Sequence, residues 1–230
     1  MRRIVPIAPA KSVAEQVRDG LREAIIDGQF VMGENISEER LVALFGVSRS
    51  PIRDALNALK FTGLVEIVPK RGSFVFLPDD AEVADLCEYR LMLERAAATM
   101  AMARDPQGLI ARLNEICDRM RRAEEAGDHA GYSRADTDYH AAFFDFCGNR
   151  LVCDAHALSD ARIATLRTAL TAPSDARRGA SFREHLDMVA QLARGDMPAF
   201  QATLSEHIDR TRRVATVELR KFKEGAEHVA

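Results

Sequence analysis

Four side chains in the C-terminal half of this 230-residue sequence have the types and spacing to hold a divalent metal ion. Asp136 and His140 are i,i+4, so on a helix they share one face. His185 and His207 are 22 residues apart, with the turn residues Gly195-Asp196 nearly midway, so two antiparallel helices can bring them to one level. One carboxylate and three imidazoles form an N₃O set suited to Zn²⁺, Ni²⁺ or Mn²⁺. On an octahedral ion four protein ligands leave two positions for water or a substrate-like carboxylate. The competing reading is plain: a histidine on an apolar helix is commonly a hydrogen-bonded core residue, and Asp136 can be surface charge, as Asp138 is expected to be.

A second set lies near the N-terminus. Ser48, Arg49, Ser50 and Arg53 cluster at the start of one predicted helix, with Arg49 and Arg53 i,i+4 on one face. Arginine binds guanine O6 and N7 bidentately, while serine hydroxyls and a helix N-terminus suit phosphates. Lys70-Arg71-Gly72 follows as the tip of a predicted hairpin. There the cations can lie over a DNA backbone or reach the minor groove, and the glycine permits close approach. Any one of these arginines could equally be a solvated surface charge; together they form a reading surface.

The elements that must position these groups are legible. Apolar residues at Val13, Val17, Leu21, Ala24 and Ile25 predict a helix over Val13–Asp27, capped by Ser12 with Glu15 completing a capping box and stopped by Gly28. A short helix is predicted over Glu38–Phe45 with Ser37 as cap. Gly46 breaks the chain before a third helix, Arg49–Phe61, with Ser48 as cap and Pro51 in its first turn. Leu64–Val68 and Phe74–Leu77 read as paired strands. Two short helices about a glycine turn, followed by a β-hairpin, describe a winged helix-turn-helix whose third helix enters the major groove by its N-terminal end.

Pro78–Ala81 reads as a linker, and helix follows throughout. The predicted spans are Glu82–Ala103, Leu109–Ala126, Tyr132–Cys147, Arg150–Thr171 (ended by Ala172-Pro173), Ser181–Arg194 and Met197 to about Lys223. Six helices with short connections predict an antiparallel bundle, and bundles build ligand sites from inward-facing side chains on several helices. The expected fold is mainly α: residues 1–77 a winged helix-turn-helix, 78–81 a linker, 82–230 an all-helical bundle.

Composition bounds the class. Apolar residues are 47% and charged residues 29%, ordinary for a globular protein. The longest apolar runs, such as Ala96–Ala103, are too short to cross a bilayer, and MRRIVPIAPAKS lacks the apolar core of a secretory signal. Cys87, Cys117, Cys147 and Cys153 show no Cys-x-x-Cys spacing and read as reduced thiols of a cytoplasmic protein. Net charge is −3, unevenly spread: residues 1–77 carry 11 Lys/Arg against 9 Asp/Glu, the remainder 21 against 26. A mildly basic head on an acidic body fits a local electrostatic footprint for DNA.

The run GVSRSPIRDALNAL followed by GLVEIVPKRGSFV resembles the DNA-binding domain of the GntR family, whose Gly-Val-Ser-Arg-x-Pro-x-Arg-(Glu/Asp)-Ala-Leu core is matched from Gly46 to Leu56. The resemblance extends upstream through AIIDG, with Met32-Gly33 in place of the usual Pro-Gly pair. Glu39 stands where some relatives carry a DNA-contacting arginine, which brings the adjacent Arg40 in as a further candidate. DTDYH, Gly148-Asn149, EHLDMVAQLARGD and EHIDR resemble the FCD ligand-binding domain of the FadR subfamily, in its shorter six-helix form. That resemblance implies a divalent metal on Asp136, His140, His185 and His207, with His129, His156 and His228 outside the motif. YRLMLERAAATMA is similar to the domain's first helix, which singles out Arg90 and Glu94. Arg90 either points inward and binds an effector carboxylate or forms a surface ion pair with Glu94. Asn149 is a candidate for the pocket wall or a helix cap.

The resemblance implies a homodimeric, operator-binding transcriptional regulator, expected to be a repressor released by a small carboxylate or sugar acid. Two alternatives belong to other classes. A metal-dependent hydrolase would need a carboxylate base beside the ion. Glu184 and Glu206 each precede a candidate histidine by one residue, about 100° around the helix, so neither is expected to face the metal. A constitutive DNA-binding protein with a purely structural metal is the other.

Overall fold

The computed structural model describes residues 11–171 and 173–227; the predicted stop at Ala172 and the spectator His228 lie outside the described residues. The chain divides into two compact units, one running to Ile25 and over Gln29–Leu77, the other comprising Ile26–Gly28 and the chain from Pro78 onward.

In the first unit, α1 (Val13–Ile26), β1 (Asn35–Ile36), α2 (Glu38–Phe45), α3 (Arg49–Phe61), β2 (Val65–Val68) and β3 (Gly72–Val75) follow in order. The predicted capping box closes α1: the Glu15 carboxylate accepts from the Ser12 backbone at 2.8 Å and Ser12 Oγ from the Glu15 backbone at 3.2 Å. Ser37 caps α2 by accepting from the Arg40 backbone. Gly46 ends it in the left-handed region at φ 65°, which permits the tight turn into α3. Ser48 occupies the N-cap position of α3 but makes no side-chain cap bond. Val13, assigned to the apolar face, is instead 49% exposed, being the first residue of α1; Val17, Leu21 and Ile25 are buried. Leu41, Ile52, Leu56 and Leu64 are buried in the same unit.

The hairpin carries a third strand that the pattern did not reveal. The sheet order is β1-β3-β2, all antiparallel, with Val65 opposite Val75 and Ile36 opposite Ser73. Two residues are too few for alternation to register, so β1 exists only through its pairing. At the tip, Arg71 N–H donates to Val68 O at 3.0 Å across Pro69-Lys70, and Lys70 takes a left-handed φ of 63°.

The second unit consists of α4 (Asp80–Arg104), α5 (Pro106–Glu125), α6 (His129–Cys147), α7 (Arg150–Ala157), α8 (Asp160–Leu166), a π-helical turn (Arg167–Thr171), α9 (Asp175–Ala193) and α10 (Met197–Glu227). Helix α4 starts two residues before the prediction because Asp79 and Glu82 form a reciprocal capping box, which takes Asp80 and Ala81 out of the expected linker. Helix α6 packs on α4 and α5, and α9 and α10 pair with one another and with α5 and α4 respectively. Tyr139, Phe143, Phe200, Leu109 and Leu113 are wholly buried between them.

The single helix expected over Arg150–Thr171 is three pieces, so the described bundle has seven α-helices rather than six. The chain breaks at Leu158-Ser159, and the π-turn then shifts the register so that Arg167 is buried, 8% exposed. No helix among the described residues is long and apolar enough to cross a membrane.

Candidate functional site

The N-terminal surface gathers its arginines by ion pairs with the preceding helix. Ser48, Arg49, Ser50 and Arg53 are all exposed at the start of α3. Arg49 Nη2 lies 3.0 Å from Glu39 Oε1. Arg53 Nε lies 2.9 and 3.0 Å from the two oxygens of Glu38, which raises the Arg53 pKa through the hydrogen bond and the adjacent charge. Arg53 is thus held to Glu38 through Nε. Arg40 is tied elsewhere, paired with Glu34 and stacked 4.4 Å over the Phe30 ring. Arg71 and Gly72 are exposed on the wing; at Gly72, φ 115° and Asn35 Nδ2 only 3.0 Å from a would-be Cβ make glycine necessary. Glu38 and Glu39 as partners are not legible in the sequence, because the acceptors lie on a different helix, 10 to 15 residues from the arginines they bind.

In the bundle, His140 on α6, His185 on α9 and His207 on α10 converge until their ligand atoms all lie within 4.8 Å of one another, and all three are buried. Two are oriented from behind by carboxylates. His140 Nδ1 donates to Glu94 Oε2 at 2.9 Å and His207 Nδ1 to Glu184 Oε2 at 2.7 Å, the tautomer that leaves each Nε2 as a lone-pair donor. His185 stacks on Tyr139 at 4.2 Å, and neither of its buried ring nitrogens has a hydrogen-bond partner. Burial holds all three histidines below their ordinary pKa, His185 down to about 3, so they are neutral imidazoles at physiological pH.

Asp136 reaches this cluster at its edge. One oxygen lies 3.6 Å from His185 Nε2, while Arg167 Nη1 lies 3.1 Å from the other. Burial opposes its charge, but the Arg167 guanidinium beside it overcomes that and keeps Asp136 ionised, well below the usual carboxylate range. A buried imidazole with two orphaned nitrogens is costly unless a partner arrives, and a divalent cation is the partner that three neutral imidazoles and a nearby carboxylate fit. Zn²⁺, Ni²⁺ or Mn²⁺ would be held by His140, His185 and His207, with Asp136 beside them.

Arg90 resolves its two sequence readings in an unexpected way. It is buried, 2% exposed, with Nε 2.6 Å from Glu94 Oε1 and Nη2 2.8 Å from His140 Nε2. The Glu94 pair exists but inside the core, because α4 turns this face onto α6. Asn149 caps α7, accepting from the backbone of Leu151 at 3.1 Å and Val152 at 3.4 Å, and does not line the cleft beside the histidines. That cleft encloses about 440 Å³ including its open mouth, and Arg167, Arg177, Arg178 and Arg210 converge on it with Asp136 and His207. Each cleft arginine has a carboxylate partner: Asp136, Glu218, Glu124 and Glu184 respectively. These arginines were not singled out from the sequence, since they come from three elements and share no local spacing.

The described cysteines are free thiols, with Cys147 and Cys153 Sγ 3.7 Å apart. Glu184 is committed to His207 and Arg210, and Glu206 pairs with Arg213 on the surface, so neither is placed as a hydrolytic base.

Comparison with known proteins fits this architecture. Residues 85–210 match the FCD domain, and residues 13–75 match the bacterial regulatory proteins of the gntR family. The HTH-type transcriptional repressor NanR of Escherichia coli K12 is 28% identical over 222 residues, spanning 86% of this chain and 82% of NanR. Among solved structures, a GntR transcriptional regulator from Rhodococcus sp. RHA1 is 25% identical with a TM-score of 0.78, covering 89% of this chain and 98% of its own. E. coli McbR/YncC shares the fold at 18% identity and a TM-score of 0.76, over 90% of this chain and 98% of its own. NanR and the Rhodococcus protein are regulators of transcription, which leaves the hydrolase alternative without support. With helix-turn-helix, wing and helical bundle in this order, the chain belongs to the GntR family of bacterial regulatory proteins with an FCD domain, and is a DNA-binding transcriptional regulator.

Proposed function

We propose that this chain is a metal-dependent repressor released by a small organic acid, with residues 1–77 reading the operator and residues 82–230 holding metal and effector. The observation that carries the reading is the buried triad of His140, His185 and His207, beside a cleft lined by four arginines. The ion would supply a Lewis-acidic centre with open positions for a carboxylate. Arg167, Arg177, Arg178 and Arg210 offer two-pronged donors to an acid that takes the place of their carboxylate partners, an exchange a neutral sugar cannot make. The arginine side chains line the cleft, each held by its carboxylate partner, so a carboxylate or sugar acid enters by displacing them. That displacement is what gives effector and operator binding a means to influence one another. Repression as the sign of control is supported by the similarity to NanR. The protein is proposed to act in the cytoplasm as a homodimer on a two-half-site operator.

A thermal-shift screen of small carboxylates and sugar acids, with and without chelator, tests this reading. A true effector at 100 times its Kd adds about 2.7 kcal/mol, raising Tm by roughly 5–10 °C at this size, and the gain should vanish after chelation. Chelation that lowers Tm while no acid raises it would leave the metal purely structural.

A further inference from the structure

The triad is not equally open to an ion. His207 turns a free Nε2 inward, and His185 has no hydrogen bond on either nitrogen, but the Nε2 lone pair of His140 already accepts from Arg90 Nη2 at 2.8 Å. An imidazole nitrogen has one lone pair in the ring plane, so it serves a guanidinium proton or a metal ion, never both. Arginine cannot resolve the conflict by losing its proton. Nor is this a loose surface contact: Arg90 and Glu94 are each about 2% exposed, and Glu94 bridges the two competitors, binding Arg90 Nε through one oxygen and His140 Nδ1 through the other. The other guanidinium terminus, Nη1, is buried without a partner. The cation is thus parked on the ligand by one good bond and retains a donor with nothing to hold it there.

We propose that Arg90 is an internal gate on the metal site, occupying the His140 lone pair until a divalent cation displaces it. The proposal rests on the metal reading above and deepens it. Rotation about the Glu94-held Nε end moves the two terminal nitrogens off His140 without breaking the Arg90–Glu94 ion pair. Loading therefore exchanges one partner of His140 for another and frees a two-pronged donor beside the new cation. An incoming anion can then bridge metal and guanidinium, relieving the repulsion that loading creates. Two consequences follow. Metal affinity is held down by the gate, and metal and anionic effector strengthen each other's binding, because each removes a cost of the other.

The experiment is a metal titration of the full chain with Zn²⁺, Ni²⁺ and Mn²⁺ against a competing chelator of known affinity, for wild type and two variants. Arg90→Met removes the gate but leaves Glu94 charged. Arg90→Met combined with Glu94→Gln removes both charges, keeps the net charge of the pair, and retains an acceptor for His140 Nδ1. Both should bind metal at least tenfold more tightly than wild type, with melting curves showing that each is folded. Tighter binding in the single variant alone would show that the gain came from the unpaired Glu94 charge and would overturn the gate. Unchanged or weaker binding in both, with wild type still loading metal, overturns the gate and leaves the metal reading standing. If none of the three takes up metal, the metal reading itself fails and the gate with it.

Discussion

Arg53 and Arg71 are both exposed cations on the N-terminal unit, yet their surroundings assign them different work. Arg53 is aimed by Glu38 from the start of α3, whereas the Arg71 guanidinium stands at a hairpin tip, 5.8 Å from the Phe74 ring. Arg53→Ala should weaken a specific operator by about tenfold to a hundredfold and relax base preference there, with little effect on nonspecific DNA. Equal losses on both DNAs in a fluorescence-anisotropy titration would remove Arg53 from base contact. In the bundle, the relevant quantity is the charge that the histidines avoid. The folded pKa of His185 is about 3 against an ordinary 6.5, so between those values the unfolded chain binds the extra proton. Stability is therefore fully present above pH 6.5 and is lost as pH falls toward 3. Melting curves of chelated protein should be flat from about pH 8 to 7 and decline through pH 6 and 5, before ordinary carboxylates titrate. His185→Gln should flatten part of that decline; an unchanged profile would mean the imidazole is not buried neutral.

Helix α2 acts on α3 through side chains that the pattern of donors does not reveal. Glu38 is both a clamp for Arg53 and a negative charge on a surface that must approach phosphates. Glu38→Gln separates these roles. Nonspecific DNA should bind several-fold tighter with one repelling charge gone, while the specific operator binds no tighter or several-fold weaker because Arg53 is no longer aimed. A parallel gain on both DNAs would show that Glu38 merely repels. The boundaries of α1, α2 and α3 were readable within a residue because caps, Gly46 and Pro51 act over a few positions. The division of Arg150–Thr171 into α7, α8 and a π-turn was not readable, because no proline or glycine marks Leu158-Ser159. Beyond the break Ser159 is buried and Arg167 meets Asp136, contacts made at long range that local spacing does not record.

A single 25.5 kDa chain carries one reading helix, and a lone major-groove contact falls short of operator-grade affinity. Sedimentation should therefore show a species of twice the chain mass at micromolar concentration, and operator affinity should drop steeply with dilution below its dissociation constant. A monomer that binds one half-site as tightly as the intact operator would refute the dimer. The proposed effector control belongs to this scale as well: on a two-half-site operator the half-sites would sit a fixed helical repeat apart, and a small change in how the two heads of the proposed dimer are presented would weaken both contacts together.

Composition, periodicity and motif spacing are enough to read the class of the molecule: the helix-turn-helix with its wing, the helical remainder, and the histidines at spacings that a bundle can bring together. Periodicity, caps and turn residues are short-range signals, and they survive without knowledge of what lies across the core. Tertiary structure alone decided which partner each buried charge meets. It placed Arg90 on His140 Nε2, turned Glu184 away from its own neighbour His185 to orient His207, drew Asp136 to Arg167, and collected four arginines around one cleft. Such pairings are set by helices packing at long sequence separation, where a charge removed from water must find an opposite charge or hydrogen bond nearby in space, and nearness in space is not written in the spacing of residues along the chain.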